Sequence, residues 1–583
     1  MHDLTFLYPR SCITCQNTTF ENICKMHFQL EIDKTLFLHY NTARPVLQGD
    51  DSINTAISKL SYQIQFQENL ATVSGTRELT AGSNIIVERL PQATLRKVAA
   101  VMQFPTAAQE KIFMNGYQTW TYCPDLGRQG YTRRMGHFPK ILLNHYKLEQ
   151  YGDYHFIDYP EQPGISHGES YCYFRQGKRF RLLASLDERP GYTLFRYDSK
   201  TGTLRIERDC EGLSCCGAFH AFDLFYAEGT EDEVFDAWFA AMGIHPRTTE
   251  RIAGYSSWYN RYEDITQKTI REDLQACIGK LQPGDVFQID DGWELFVGDW
   301  LEADVTRFPD GMKQAAQEIH DAGFRAGLWL APYVATKESE VYKLHPDWLL
   351  KVDGKPWSCG CNWGGFYSLD LDHPGVQDYL RRVFDRVLNE WGYDLVKLDF
   401  LYGVAPFGNE KESRAGRMIR GMEFLRELCG DKLILGCGVP LMPAFGLVDY
   451  CRISCDVSLD WDDTALMQRI HRERVSTRQA IGNTIFRRQL NGRAFLSDPD
   501  VFFLRDENLK LSEVQKKKLY TVNALFGGVL FHSDNMSHYR PDQDALYQQI
   551  RHLRNATDVR VETDYGLTVR YNLDGQEYAL LIE

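Results

Sequence analysis

The feature that most constrains this chain is a change of period near residue 250, after which one unit recurs eight times. Each unit is a short apolar run followed by a longer stretch with apolar residues at helical spacing. The runs lie at 254–260, 285–291, 325–333, 395–401, 433–438, 450–456, 493–497 and 528–533. Between them, Ile270, Leu274, Cys277, Ile278 and Leu281 mark one helix, and Met312, Ala316 and Ile319 before Gly323 a second. Pro374 opens a third through Val376, Leu380, Val383 and Val387. Eight strands alternating with helices predict a (β/α)8 TIM barrel. One unit is thin, because 439–449 leaves little room for a helix between the fifth and sixth strands.

Upstream the pattern alternates apolar and polar residues in short runs, as in 28–32, 85–90 and 203–208, with turn residues between them. This predicts an N-terminal antiparallel β-sandwich. Near its end, Thr230 and Glu233 have capping-box spacing and open a helix through Val234, Trp238 and Met242 to Gly243. Residues 559–583 alternate again and predict a small C-terminal antiparallel β domain. The expected division is 1–245, 246–537 and 538–583.

Composition narrows the function classes. Apolar residues at 43% and charged residues at 25% of 583 are ordinary for a globular chain, which excludes disorder and low complexity. A net charge of −14 without a Lys/Arg run argues against nucleic acid. No run approaches roughly eighteen apolar residues, and Met1 to Arg10 lacks a basic flank before an apolar stretch, so no membrane partner and a cytoplasmic location are expected. Fifteen scattered cysteines fit reduced thiols. Cys12, Cys15 and Cys24, or Cys359 and Cys361, lack a second pair at zinc-site spacing, and no Gly-rich phosphate loop follows a strand. Neither a metal nor a cofactor is expected.

Active sites of such barrels form at the C-terminal ends of the strands. There the sequence carries acids: Asp290 and Asp291 on the second strand, Asp399 on the fourth, Asp456 on the sixth, Asp498 and Asp500 after the seventh, and Asp534 after the eighth. Strand parity puts Lys397 and Asp399 on one face, opposite Val396, Leu398 and Phe400. Facing the lumen, the Lys397 ammonium is expected to lower the pKa of Asp399, which suits a nucleophile. Arg452, Ser454 and Asp456 share a face by the same rule. With one strand between them, Asp399 and Asp456 should sit roughly 10 Å apart at the backbone and about 5–7 Å apart at their carboxyl groups. That spacing is compatible with a retaining glycosidase and does not exclude inversion. The aromatic content of 13% supplies flat faces for sugar rings.

These residues resemble glycoside hydrolase family 36, the melibiase or α-galactosidase family. The resemblance is carried by Trp258-Tyr259-Asn260, Gln288-Ile289-Asp290-Asp291-Gly292, Gly298-Asp299-Trp300, Gly327-Leu328-Trp329-Leu330-Ala331-Pro332, His345-Pro346-Asp347-Trp348, Lys397-Leu398-Asp399-Phe400, Leu435-Gly436-Cys437-Gly438 and Arg452-Ile453-Ser454-Cys455-Asp456. It implies cofactor-free hydrolysis of terminal α-galactosides from galacto-oligosaccharides, with retention. By position, Asp399 is similar to the nucleophile and Asp456 to the acid/base. Asp290 and Asp291 match the pair that binds the galactose 4- and 6-hydroxyls, Lys397, Cys437 and Arg452 match the subsite lining, and Trp258 and Trp329 its aromatic walls. The string 115–120 resembles a sandwich loop that makes Trp120 a lid. Cys455 stands where the family often has proline, and Asp460, Asp462 and Asp463 follow as rival acids, with Asp460 in reserve. The same acid pair would serve an α-N-acetylgalactosaminidase or a galactosyl transferase. A non-catalytic sugar-binding barrel and a metal-dependent hydrolase are more distant readings.

Overall fold

The computed structural model describes residues 26–32, 46–50, 62–67, 70–75, 83–134, 140–145, 147–150, 152–563 and 566–583. Cys12, Cys15, Cys24 and Met1 to Arg10 lie outside the described residues.

The first half forms a hydrogen-bonded antiparallel sheet of eleven described strands. Its spine is two long strands, Ser83–Gln103 and Thr203–Gly229, which pair with repeated register shifts. Such bulges bend a strand and increase its twist. The second long strand pairs with Tyr192–Asp198 through residues 203–209 and with Arg179–Ser185 through residues 224–229. Leu95, Val98, Met102, Phe174, Leu183, Tyr197 and Ile206, drawn from both arms, share one buried cluster.

The helix Glu231–Met242 follows, with the Thr230 capping box in place and Gly243 in the left-handed conformation at φ 66°. Its apolar face, Val234, Phe235, Trp238 and Phe239, is buried. The Trp238 indole donates to the Ser185 carbonyl at 2.9 Å, while its ring lies 5.9 Å from that of Phe445 in the barrel.

The barrel strands are Ile252–Ser256, Val286–Ile289, Arg325–Leu330, Leu395–Leu398, Leu433–Gly436, Tyr450–Arg452, Leu496–Asp498 and Val529–His532. Consecutive strands pair in parallel from the first to the seventh, and the eighth pairs with the first. The seventh and eighth meet through Gly528 N to Ser497 O at 2.8 Å and a Phe502–His532 bridge, so the barrel is nearly closed. These strands are buried on both faces, as parallel sheets demand. Between the fifth and sixth strands there is one 3-10 turn, Met442–Ala444, and no α-helix. Pro541–His552 follows the eighth strand and packs Tyr547 on Phe502 and His532. A three-stranded antiparallel sheet, Thr557–Glu562, Thr568–Leu573 and Gln576–Leu581, ends the chain.

Candidate active site

The second strand delivers Asp290 and Asp291 into the barrel mouth. Gly292, at φ 108°, turns the chain away where an added Cβ would lie 2.7 Å from the Glu263 carbonyl, so the turn admits only glycine. Asp290 is buried and accepts from Gln288 Nε2 at 2.7 Å and Lys397 Nζ at 2.8 Å. Its own N–H donates to Ser257 Oγ at 2.9 Å. Asp291 accepts from the Trp363 indole at 2.9 Å. Burial pushes Asp291 up to about 6, and the neighbouring Glu294 is raised well above the carboxylate range by burial and by Asp291.

Past the fourth strand, Phe400 takes the left-handed conformation at φ 51°, which lets its N–H donate to Asp399 Oδ1 at 2.7 Å. The Trp329 indole donates to Asp399 Oδ2 at 3.3 Å. Gly438 closes the group: a Cβ there would lie 3.0 Å from Asp399 Oδ1, 3.0 Å from Trp120 Cζ3 and 2.8 Å from Phe400 N. Trp120 arrives on the loop 115–123, whose Thr119 N–H donates to Val439 O at 3.3 Å. Its ring stands edge-on to Tyr402 at 5.7 Å. Cys437 is buried, and burial drives its thiol well up, so it stays neutral.

The sixth strand ends at Arg452, a buried guanidinium that meets three carboxylates: Asp456 at 2.8 Å, Asp500 at 2.9 Å and Asp498 at 3.1 Å. Asp456 lies beyond the strand and keeps 47% of its side chain exposed, so a ligand can reach it. Tyr259, on the single helical turn Trp258–Arg261, donates to Asp500. Trp258 on that turn rests edge-on against Tyr262 at 5.3 Å.

The electrostatics differ from the sequence expectation. Lys397 pulls Asp399 down as expected, but its ammonium hydrogen-bonds Asp290 and the net direction of Asp399 is upward. Burial is the main cause and the charge on Asp456 adds to it, against the opposing pull of Lys397. The other acids sort by partner. Asp534 accepts from Leu504 N at 2.6 Å and from Tyr539 OH at 2.8 Å, and so braces a loop. Asp460 pairs with Lys510 at 3.1 Å and Asp462 with Arg474 at 2.8 Å. No group of three or more His, Cys, Asp or Glu among the described residues is placed to hold a metal ion.

Two residues escaped the sequence reading. Trp363 belongs to a Gly-flanked loop at φ 53° with no periodicity to mark it, yet it joins Asp291 to Trp329 (6.0 Å) and Phe400 (5.0 Å). Arg487 is fully buried and donates to the carbonyls of Thr119 (2.6 Å), Ile453 (2.9 Å), Gln118 (3.0 Å) and Gly116 (3.2 Å). One guanidinium thus ties the Trp120 loop to the strand that leads to Asp456.

A parallel barrel with carboxylates, a lysine, an arginine and indoles gathered at its strand ends is an arrangement suited to glycoside chemistry. Residues 247–423 match the melibiase family model. Alpha-galactosidase 1 of Pediococcus pentosaceus is 31% identical over 160 residues, 26% of this chain and 21% of that protein. Alpha-galactosidase Mel36A of Lactobacillus acidophilus is 32% identical over 152 residues, 25% of this chain and 20% of that one. The matched stretch therefore spans about a fifth of the length of these curated relatives. TtGalA, the α-galactosidase of Thermus thermophilus solved with p-nitrophenyl α-D-galactopyranoside, superposes with a TM-score of 0.67 at 27% identity, covering 89% of this chain and 98% of that one. AgaA of Geobacillus stearothermophilus, a GH36 α-galactosidase, shares the fold at 14% identity and a TM-score of 0.56 over 94% of this chain and 79% of its own. By these matches the chain is similar to the melibiases, glycoside hydrolase family 36, in sequence over residues 247–423 and in fold beyond them.

Proposed function

We propose that the protein is a retaining exo-glycosidase that releases terminal α-linked galactose from oligosaccharides of the melibiose and raffinose type. What supports this reading is the gathering at the barrel strand ends of Asp399 and Asp456, whose charge helps raise Asp399, with Asp290, Asp291 and Lys397. Relatives solved with stachyose and raffinose support the substrate class.

In the first step the Asp399 carboxylate forms a bond to C1 while the glycosidic C1–O bond breaks, and the departing oxygen takes the proton of the Asp456 carboxyl. In the second step a water gives its proton to the Asp456 carboxylate and attacks C1, freeing Asp399 and releasing galactose. Asp290 and Asp291 accept from the 4- and 6-hydroxyls, and Lys397 holds Asp290 in place. Trp329, Trp258 and Trp120 offer apolar faces to the ring, and Arg452 fixes Asp456. Cys437 lines the same subsite as an uncharged thiol. In the same reading the eleven-stranded sheet is an N-terminal β-sandwich, and 1–245, 246–537 and 538–583 are the three domains. Buried thiols such as Cys123, Cys277 and Cys451 fit a cytoplasmic protein.

The test is turnover of 4-nitrophenyl α-galactoside. Asp399→Ala is expected to lose at least about 10³-fold in kcat, with partial return of activity and an inverted galactosyl azide product when azide is supplied. Undiminished turnover would remove Asp399 from the nucleophile role.

A further inference from the structure

The turn at Gly292 sets a second buried carboxyl against Asp291. Glu294 lies three residues on and is 6% exposed, Asp291 4%. The two side chains are within hydrogen-bond reach of each other. Among the described residues no lysine or arginine pairs with either of them. Lys397 is bound to Asp290, while Arg307 pairs with Asp304 and donates to the carbonyls of Glu263 and, at 3.2 Å, Gly292. Glu294 Oε2 is sealed from solvent without a hydrogen-bond partner.

Two carboxylates cannot both stay ionised in such a place. Burial and a like charge in contact each favour the neutral acid, and an oxygen with no donor adds to the cost of the charged one. Glu294 is driven well above the carboxylate range, by burial first and then by Asp291. Asp291, which burial raises to about 6, is pulled down by Glu294 and by the Trp363 indole. The other charges facing the pair, Asp290 and Glu263, are negative and favour protonation too. At neutral pH the pair therefore holds one proton, and Glu294 carries it.

That proton has Asp291 as its acceptor. A carboxylate offers about four lone-pair sites, and the Trp363 indole takes one on Asp291 Oδ2 at 2.9 Å. Asp290 is held by an ammonium, whereas Asp291 has no cation and depends on neutral donors to fix its oxygens. We propose that Glu294 is a positioning residue for Asp291, its carboxylic acid donating a hydrogen bond that holds the Asp291 carboxylate aimed at a hydroxyl of the substrate. The inference rests on the galactosidase reading above.

The experiment measures kcat and KM for 4-nitrophenyl α-galactoside against pH in the wild type, Glu294→Gln and Glu294→Leu. Glutamine keeps a donor for Asp291 and cannot ionise; leucine fills the space and donates nothing. Glu294→Leu is expected to raise KM about tenfold at neutral pH, the usual contribution of a hydrogen bond to a charged group, with kcat held within about threefold. On acidification its KM should begin to climb at a higher pH than in the wild type, because a donor that pulls Asp291 down is gone. Glu294→Gln should keep KM within about threefold of the wild type, with the same onset. An unchanged KM in Glu294→Leu, whatever its kcat or melting temperature, overturns the inference, and so does a KM in Glu294→Gln raised as far as in Glu294→Leu. Glu294→Met replaces the leucine variant if that one does not fold, with the same outcomes. Either overturning result leaves the galactosidase reading standing, whereas a wild type that releases nothing from the galactoside overturns both.

Discussion

Asp399 sits among groups of opposing effect. Burial raises its pKa first and foremost and Asp456 adds to this, while Lys397, the Phe400 amide and the Trp329 indole pull it down. The net direction is upward, so in the proposed nucleophile role the carboxyl ionises at a higher pH than an ordinary aspartate does. The acid limb of kcat/KM should accordingly lie higher than an ordinary aspartate would set it. Removing the charge of its neighbour in Asp456→Asn takes away one raising cause and should move the limb to lower pH. The check is a pH profile on an aryl galactoside whose leaving group needs no protonation; a limb that stays put would mean the two carboxylates do not sense each other. At this scale parity revealed which way Lys397 points but not which carboxylate it meets. That choice depends on the distance between the second and fourth strands, across the third, which no single strand's sequence encodes.

At the scale of elements, the eight barrel strands were legible because a parallel strand buried on both faces is written as an unbroken apolar run. The strand-end aspartates were legible with them, because they terminate those runs. The connectivity of the first sheet was not, since strands Ser83–Gln103 and Thr203–Gly229 each read as several short alternating segments and their bulges restart the alternation. Nor was the role of Arg487, which follows the helix Thr477–Phe486 and whose partners are backbone carbonyls from distant segments. Replacing it by methionine leaves those carbonyls buried and releases the Trp120 loop from the sixth strand. A shift of about 1 Å in a site of this kind can cost about 10²-fold. Arg487→Met is expected to lose about ten- to a hundredfold in kcat/KM, chiefly in kcat, with Arg487→Lys recovering part of it. A lower melting temperature at unchanged kcat/KM would confine Arg487 to holding the fold.

Over the whole molecule, the sheet and the barrel share one core. Phe113, Tyr171 and Trp238 belong to the same buried cluster as the barrel strands. The helix Glu231–Met242 is the joint, reinforced by Arg488 to Glu231 and Arg493 to Asp232 and Asp236. Trp238→Ala should destabilise by about 3–5 kcal/mol, and calorimetry should show sheet and barrel melting together at a lower temperature. Two separated transitions in the wild type would contradict a common core.

The missing helix between the fifth and sixth strands gives this joint a further meaning. Phe445, just past the turn Met442–Ala444, lies against Trp238 and Phe239 at 5.9 and 5.3 Å, so a helix from the sheet half occupies the berth that a regular barrel fills from its own sequence. Cut free between the helix Glu231–Met242 and the strand Ile252–Ser256, the barrel would show solvent a greasy notch around Phe445 where a stave of its outer wall belongs. An excised barrel is therefore a poor free-standing catalyst, and any shortened version of this protein has to carry residues 231–242 with it.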